Sequence, residues 1–285
     1  MKLLITGSSG FLGSYFINKY KDKYEIHTFS FLKDDINSLD GTSIDTVFHL
    51  SALVHQMGGA SAKEYERVNV IQTLELAKKA KESGVKHFVF MSTVKVYGEE
   101  TDTKYSENSA CNPEDEYGKS KLKAEFELQK LRGESFKVSI IRTPIVYGYG
   151  VKANIKNLLN LVDKVLVLPF GGIENRRSMV YIGNLSHLVD EVITQQKEGV
   201  FLASDDEPLS TTRLIELIAK NLDKKIYLIK IPFFESLLKL AKPSFHKRLY
   251  GSLEVNNTLT KEKLNLTNPY TVEDGIRLML NGEEI

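Results

Sequence analysis

The sequence predicts an α/β fold in which a doubly wound parallel sheet is joined to a smaller C-terminal lobe. Two observations support this prediction. Short, wholly apolar runs alternate with helical patterns over the first two-thirds of the 285 residues, and such runs are typical of strands buried on both faces of a parallel sheet. A glycine-rich segment also lies between the first apolar run and the first helical pattern. In folds of this class, ligands bind at the carboxyl ends of the strands.

The elements of the first part of the chain follow from these patterns. We predict strands over residues 3–6, 26–29, 46–50, 88–91 and 138–142. We predict helices over 12–20, 62–83 and 119–132. Right-handed crossovers through such helices place them on both faces of the sheet.

Three glycines, Gly7, Gly10 and Gly13, follow the first strand and precede the first helix. In dinucleotide-binding folds the first glycine permits a tight turn, the second lets the backbone approach pyrophosphate, and the third allows close helix–strand packing. The spacing differs from the commoner G-x-G-x-x-G and is a weak signal alone. Its place between a strand and a helix nevertheless predicts a Rossmann-type cofactor site, with Phe11 and Leu12 also in contact with the cofactor.

The chain changes character near residue 147, where glycine-punctuated loops and further helical patterns begin. We predict a dinucleotide-binding domain over 1–147 together with about 178–202. The remaining segments, 148–177 and 203–285, are predicted to form the substrate-binding lobe above the carboxyl ends of the strands.

The end of the second strand bears on the choice between NAD and NADP. An acidic residue there would bind the ribose hydroxyls and favour NAD. The strand ends at Ser30 without an acid, and Ser30 and Lys33 are suited to the 2′-phosphate of NADP. Lys33 is equally consistent with a solvated loop charge. We therefore favour NADP, keep NAD as the alternative, and expect Asp35 and Ile36 near the adenine.

Tyr117 and Lys121 form a Tyr-x-x-x-Lys pattern in the third predicted helix. Residues four apart share a helix face, so the lysine charge would lower the tyrosine pKa from its ordinary value of about 10. Ser92 and Thr93 follow the strand over 88–91, where a hydroxyl would hold a substrate oxygen. The pattern is common by chance, but after a cofactor loop it predicts a redox enzyme with Tyr117 as the proton-transfer residue.

Composition excludes several other classes. The net charge is +1, hydrophobic residues make up 42% and charged residues 26%, as in water-soluble globular proteins without a nucleic-acid-binding surface. Cys111 is the only cysteine, which fits a reducing, cytoplasmic compartment. His49 and His187 have no second ligand at metal spacing, so we predict no metal site.

Membrane insertion is not expected, because no apolar stretch approaches the ~20 residues that a spanning helix needs. The segment 232–241 has large apolar residues at helical spacing. It is either an interfacial helix or a packing face, and we favour the packing face.

In the order of its motifs, the chain resembles the extended short-chain dehydrogenase/reductases, in particular the nucleotide-sugar epimerase/dehydratase branch. The motifs are the glycine loop, His49-Leu50-Ser51-Ala52, Asn69, Ser92-Thr93 with Val96-Tyr97-Gly98, Tyr117-Gly-Lys-Ser-Lys121, the stretch from Arg142 through Pro144 to Gly148, and the stretch 176–185.

The resemblance implies roles for several of these residues. Thr93 would be the third catalytic group, with Ser92 as a possible substitute, beside Tyr117 as acid/base and Lys121 as its electrostatic partner. The cofactor contacts would also include Leu50, Ser51, Ala52, Asn69 and Pro144.

The substrate implied by the resemblance is a UDP-sugar. Asn154 resembles the position that holds the sugar diphosphate, Arg177 resembles the pyrophosphate arginine, and Arg248 is a looser match for a second such contact. Arginine suits this task because its planar fork binds phosphate oxygens in pairs. The segment 55–59 is either part of the sugar pocket or an ordinary loop, and the family implies a homodimer through two long helices.

Three functions remain open. We favour a 4-ketoreductase that reduces a UDP-4-keto-(6-deoxy)-N-acetylhexosamine with NADPH for surface polysaccharide synthesis, because the second strand lacks an acid. The chief rival is a 4-epimerase of UDP-glucose or UDP-N-acetylglucosamine that retains NAD. A catalytically silent, cofactor-sensing binding protein is the third. Dehydration is disfavoured, because Val94 and Lys95 stand where family dehydratases carry an Asp-Glu pair after the catalytic threonine.

Overall fold

The computed structural model describes residues 1–54 and 60–282. The segment 55–59, considered above for the sugar pocket, lies outside the described residues. The strands are Lys2–Thr6 (β1), Glu25–Phe29 (β2), Thr46–His49 (β3), His87–Thr93 (β4), Lys137–Thr143 (β5), Ile145–Tyr147 (β6), Val167–Leu168 (β7), Met179–Tyr181 (β8), Gly199–Leu202 (β9) and Tyr227–Leu228 (β10). The α-helices are Phe11–Tyr20 (α1), Ala62–Tyr65 (α2), Gln72–Glu82 (α3), Glu116–Lys130 (α4), Ala153–Lys164 (α5), Ile182–Thr194 (α6), Thr211–Asn221 (α7), Phe234–Ala241 (α8), Pro243–Tyr250 (α9), Thr258–Leu264 (α10) and Val272–Asn281 (α11).

Six parallel strands form the main sheet, in the order β2-β1-β3-β4-β5-β9. The fold class and the five expected strands are confirmed, and β9 is a sixth strand that we did not predict. Strand order reverses direction between β1 and β3, and in open α/β sheets ligands bind outside the carboxyl ends of the strands at such a point. The glycine loop and the loop after β3 both begin there.

Alternating side chains of the strands pack against helices on opposite faces of the sheet. On one face, Leu3 and Ile5 of β1 pack in a cluster with Phe16 of α1 and with buried residues of α6. On the other, Leu4 packs in a cluster that includes Leu76 of α3 and residues of α4. Helices on both faces explain why these strands are apolar throughout.

Two small parallel strand pairs, β6–β8 and β7–β10, lie outside the main sheet. They belong with α5, α7 and α11 to a separate apolar cluster that includes Tyr147, Ile215 and Ile276. Helices α8 and α9 lie against each other near this cluster, and α8 has no buried residue. The two-part division of the chain stays a prediction. None of the helices in the described ranges is long and apolar enough to cross a bilayer.

Candidate active site

At two positions of the glycine loop, neighbouring backbone atoms leave no room for a side chain. Gly7 has a φ of +67°, and a Cβ there would lie 2.9 Å from the backbone nitrogen of Ser51. A Cβ on Gly13 would lie 2.4 Å from the Gly7 carbonyl oxygen, so α1 can approach β1 only with glycine here. Gly10 is the N-cap of α1 and offers no side chain. The amides of the first turn are therefore left for a phosphate oxygen, and the loop fits a dinucleotide.

The loop after β3 is held against the glycine loop by a buried threonine. The backbone amides of Leu50 and Ser51 both donate to Thr6 Oγ1 at 3.1 Å. Thr6 Oγ1 also lies 2.7 Å from His49 Nδ1, and His49 Nε2 lies 2.9 Å from Thr73 Oγ1. Burial lowers the pKa of His49 to about 3. This histidine is therefore neutral and structural, and it positions the loop that contains Leu50, Ser51 and Ala52.

Asn69 links the cofactor side of the site to α4. Its side chain accepts from the Leu53 amide at 2.8 Å, donates to the Leu53 carbonyl at 2.9 Å and donates to Ser120 Oγ at 3.0 Å. Ser120 in turn donates to the Tyr117 carbonyl. The residue lies in a π-helical turn, Glu66–Ile71, a feature frequent at functional sites. These bonds join the Leu53 backbone to α4, and direct contact of Asn69 with the cofactor stays a prediction.

An acid does lie at the carboxyl end of β2, contrary to our reading of the sequence. Asp34 folds back so that its carboxylate accepts from the Ser30 amide at 2.7 Å. The sequence pattern missed it because the acid comes five residues after the end of β2. The chain returns through a turn in which the Lys33 and Asp34 amides donate to the Ser30 carbonyl. Asp35 caps the short turn that contains Ile36 by accepting from Asn37.

The first turn of α4 brings Tyr117 next to the end of β4. Asp115, the N-cap of α4, accepts from the Gly118 amide at 2.7 Å and pairs with Lys95 Nζ at 2.5 Å. A Cβ on Gly118 would lie 2.8 Å from the Lys95 carbonyl oxygen, so the helix approaches the turn after β4 closely. Thr93 begins that turn by accepting from the Lys95 amide at 3.3 Å. The contacts of Lys95 thus bring Thr93 and Tyr117 into one neighbourhood.

Burial dominates the electrostatics of Tyr117 and Lys121. The pKa of Tyr117 is raised above its ordinary value by burial, and further by the negative charge of Asp115. Burial lowers the pKa of Lys121 to about 7, against the opposing effect of Glu125. The Lys121 ammonium lies 3.9 Å from the centre of the Phe90 ring, a cation–π contact in a dry setting. Without cofactor, Tyr117 is therefore protonated, and the expected lowering of its pKa by Lys121 is not found.

Ser92 belongs to a different network from Thr93, because adjacent strand residues face opposite ways. Its hydroxyl donates to Glu125, whose carboxylate also pairs with Arg142 at 2.5 Å; all three side chains are buried. The Arg142 guanidinium lies 4.6 Å from the centre of the Tyr97 ring. Ser92 is thus committed to this buried ion pair, and Thr93 is the better candidate for the substrate oxygen.

The candidate substrate residues lie in or beside the lobe. Arg177 donates to the carbonyls of Lys247 and Gly251 at the end of α9, at 3.3 and 3.0 Å. Burial lowers its pKa against the opposing negative charges of Glu100 and Glu99, and the positive charge of Arg248 lowers it further. Asn154 is exposed in the first turn of α5. Pro144 is buried where the chain passes from β5 to β6.

The spacing argument against a metal at His187 was wrong. Possible ligand atoms of His187, Asp190 and Glu191 lie within 4.8 Å of one another on α6. The Asp190 carboxylate, however, is bound by Lys23 at 2.7 Å and by the Tyr24 hydroxyl at 2.6 Å. The cluster is accounted for by these partners, and the absence of a metal site stays a prediction.

Sequence reasoning missed Asp34 and the Glu125–Arg142 pair. Glu125 lies four residues after Lys121, so helical spacing could have placed its charge beside the lysine. Arg142 stands inside an apolar strand, and a buried arginine requires an acidic partner. Nothing in the sequence, by contrast, identifies Phe90 among the apolar strand residues as the ring beneath Lys121.

Comparison with known proteins agrees with this geometry. Residues 3–202 match the model of the NAD dependent epimerase/dehydratase family. A UDP-glucose 4-epimerase from Vibrio cholerae is 36% identical, over 96% of this chain and 93% of the relative. The N-acetyl-alpha-D-glucosaminyl-diphospho-ditrans,octacis-undecaprenol 4-epimerase of Escherichia coli O157:H7 is 26% identical, over 99% and 95%.

Solved structures share the fold. UDP-glucuronic acid 4-epimerase from Bacillus cereus, in complex with NAD, superposes with a TM-score of 0.78 at 21% identity, covering 99% of this chain and 98% of that one. A dTDP-4-dehydrorhamnose reductase from Clostridium acetobutylicum gives 0.79 at 22%, covering 99% of both chains. With the family model matching most of its length, this chain belongs to the NAD dependent epimerase/dehydratase family.

Proposed function

We propose that the protein interconverts two hexoses that differ at C4, each carried on a diphosphate and most simply as the UDP-sugar, with NAD as the cofactor. The proposal rests mainly on the close approach of the first turn of α4, which contains Tyr117, to the turn that Thr93 begins at the carboxyl end of β4. The 36% identical relative, a UDP-glucose 4-epimerase, supports epimerisation as the net reaction. This reverses the preference drawn from the sequence, which depended on a second strand without an acid.

The residues divide the reaction between them. The chemistry that bound NAD would supply is reversible hydride transfer at C4 of the sugar. Tyr117 takes the proton of the 4-hydroxyl. It returns the proton to the same oxygen after the keto sugar has presented its other face to the cofactor. Thr93 donates a hydrogen bond to that oxygen as its charge develops. The positive charge of Lys121, when it is protonated, favours the phenolate form of Tyr117.

The preference for NAD over NADP depends on the turn over residues 30–34, directly after β2. The Asp34 carboxylate at the end of β2 suits the ribose hydroxyls of NAD and repels a 2′-phosphate. Lys33, on the same turn, has the opposite preference. It is exposed, and within residues 1–54 and 60–282 it forms no ion pair. We therefore expect Asp34→Ala to weaken NAD binding by roughly tenfold or more and Lys33→Ala to leave it nearly unchanged.

A UDP-4-keto-sugar reductase is the second candidate, and one observation favours it. Tyr117 is held protonated by its burial, which is the state that donates a proton to a nascent alkoxide. Lys33 would then bind the 2′-phosphate of NADPH, and the sugar would be a UDP-4-keto-(6-deoxy)-N-acetylhexosamine. The same Tyr117 and Thr93 would act.

The deciding experiment identifies the nucleotide and the net reaction. Purified protein is denatured, and the released nucleotide is identified by mass spectrometry. Native protein is then given UDP-glucose or UDP-N-acetylglucosamine and, separately, the UDP-4-keto-sugar with NADPH. Retained NAD with interconversion of C4 epimers supports the proposal. An empty protein that consumes NADPH stoichiometrically with the keto-sugar would overturn it in favour of the reductase.

The diphosphate site accounts for the substrate class. Arg177 donates to the Gly251 carbonyl at the end of α9, Arg248 lies on α9 itself, and Asn154 is exposed in the first turn of α5. The second relative acts on a diphospho-undecaprenol sugar by name, so the common chemistry is a hexose on a diphosphate. Offering both carriers to the enzyme distinguishes them.

We also propose a homodimer through α3 and α4. The two helices lie side by side, and Phe126 on α4 is a large aromatic residue left 59% exposed. Light scattering of the wild type and of Phe126→Asp tests this, because only an interface residue should shift the mass to that of one chain.

A further inference from the structure

An apolar surface with no partner among residues 1–54 and 60–282 lies on α8, α9 and the segment that leads into them. We call it the α8–α9 surface. Its large apolar side chains are Ile231 (45% exposed), Phe233 (86%), Leu237 (64%), Leu240 (84%) and Phe245 (43%). Only Phe234 and Leu238 of α8 pack against the apolar cluster of the lobe. The expectation of a packing face is therefore met by one side of the helix, while the other side faces solvent.

The backbone at the start of α8 points an aromatic ring outward at a cost. Phe233 has a φ of +61°, a conformation that bulky residues rarely adopt and that costs about 1–3 kcal/mol. Its ring is nevertheless the most exposed of the surface. Packing within the described residues does not offset this strain, because the Phe233 ring is exposed. A contact between the ring and a partner outside the chain would offset it.

The charge on this segment is mainly positive. Residues 230–250 contain five lysines and arginines and a single acid, Glu235. Glu235 lies 3.2 Å from His246. Within the described ranges, Lys230, Lys239 and Lys242 form no ion pair. Exposed apolar side chains interspersed with exposed lysines are the pattern of a helix that lies in the interface of an anionic bilayer.

We propose that the α8–α9 surface docks the protein on an anionic lipid bilayer. The apolar side chains would enter the boundary between headgroups and acyl chains, and the three lysines would contact anionic headgroups. Charge complementarity favours lipid over a second copy of the chain, whose identical lysines would face each other at a two-fold contact. Because α9 carries both Phe245 and Arg248, docking would place the candidate diphosphate site next to the membrane.

Vesicle sedimentation of the full chain tests this proposal. The probes are vesicles of phosphatidylcholine alone and of phosphatidylcholine with phosphatidylglycerol. We expect the wild type to sediment with the anionic vesicles and to be released by salt. Leu237→Ser with Leu240→Ser should weaken binding by roughly tenfold or more, whereas Leu259→Ser, at another exposed leucine on α10, should not.

Charge is tested in the same assay. Replacing Lys230, Lys239 and Lys242 with glutamine should weaken binding by about fivefold per lysine on anionic vesicles. The control replaces three other exposed lysines with glutamine: Lys78, Lys86 and Lys220. Melting temperature and turnover on soluble substrate establish that each variant is folded.

Three results would overturn the proposal. The first is a wild type that stays in the supernatant with anionic vesicles. The second is equal binding by the wild type and the double leucine variant. The third is light scattering in which the leucine variant alone loses self-association, because the surface would then be an interface between copies of this chain.

Discussion

Lys121→Met is expected to stabilise the protein while abolishing its activity. Lys121 is 2% exposed, and burial lowers its pKa to about 7. The folded chain therefore disfavours the charged ammonium that the unfolded chain carries freely. Methionine fills a similar volume without a charge, so the variant should be free of this penalty.

The size of the effect follows from the pKa of Lys121. At about 1.4 kcal/mol per pKa unit, a fall from the ordinary value of 10.5 to about 7 corresponds to roughly 5 kcal/mol. Below about pH 7 both folded and unfolded chains hold the proton, and the penalty is complete. Between about pH 7 and 10.5 only the unfolded chain keeps it, so wild-type stability rises with pH by up to about 1.4 kcal/mol per unit. Above that range the penalty disappears.

Chemical denaturation of nucleotide-free protein measures this. The difference in unfolding free energy between Lys121→Met and the wild type should be largest at about pH 6, smaller at about pH 8 and close to zero near pH 10.5. Lys119→Met, at an exposed lysine on the same helix that pairs with Glu116, should change stability by no more than about 0.5 kcal/mol at any pH. A difference for Lys121→Met that does not vary with pH would refute the reasoning, because the lysine would then be charged in both states.

Three further predictions concern neighbouring residues. Tyr117→Phe should lower turnover by about 10²- to 10⁴-fold with unchanged sugar-nucleotide binding by calorimetry; unchanged turnover would instead support a silent binding protein. Glu125→Ala leaves the Arg142 charge buried and unpaired, so denaturation should reveal a loss of about 3–5 kcal/mol, and a loss below about 1 kcal/mol would contradict the buried pair. His49, with a folded pKa of about 3, should make the protein less stable as pH falls from 6.5 by up to about 1.4 kcal/mol per unit. His49→Gln should remove that slope.

The sequence was enough to predict most of the sheet. The strands that are buried on both faces appear as apolar runs, and their predicted bounds differ from the observed ones by at most two residues at either end. β9 was missed because Gly199–Leu202 is short and its amphipathic neighbours dominate the pattern. The small strand pairs of the lobe are two or three residues long, too short for any periodicity to appear.

Features of the candidate site that follow from residue spacing could be read from the sequence, whereas features that depend on turns and burial could not. The i,i+4 relation of Tyr117 and Lys121 can be read directly from the sequence. The return of Asp34 to the end of β2 is not, because it depends on the path of a turn. The raised pKa of Tyr117 and the lowered pKa of Lys121 also could not be predicted from the residue types, because desolvation is a property of the packed site.

The contacts of Asn69 have a mechanical consequence. Its side-chain amide hydrogen-bonds to both the backbone amide and the backbone carbonyl of Leu53, in the loop after β3. It also donates to Ser120, one turn along α4 from Tyr117. The loop after β3 and the helix that contains Tyr117 are therefore joined through one side chain. A displacement of the loop after β3 would therefore be transmitted through Asn69 to α4, and a displacement of α4 to that loop.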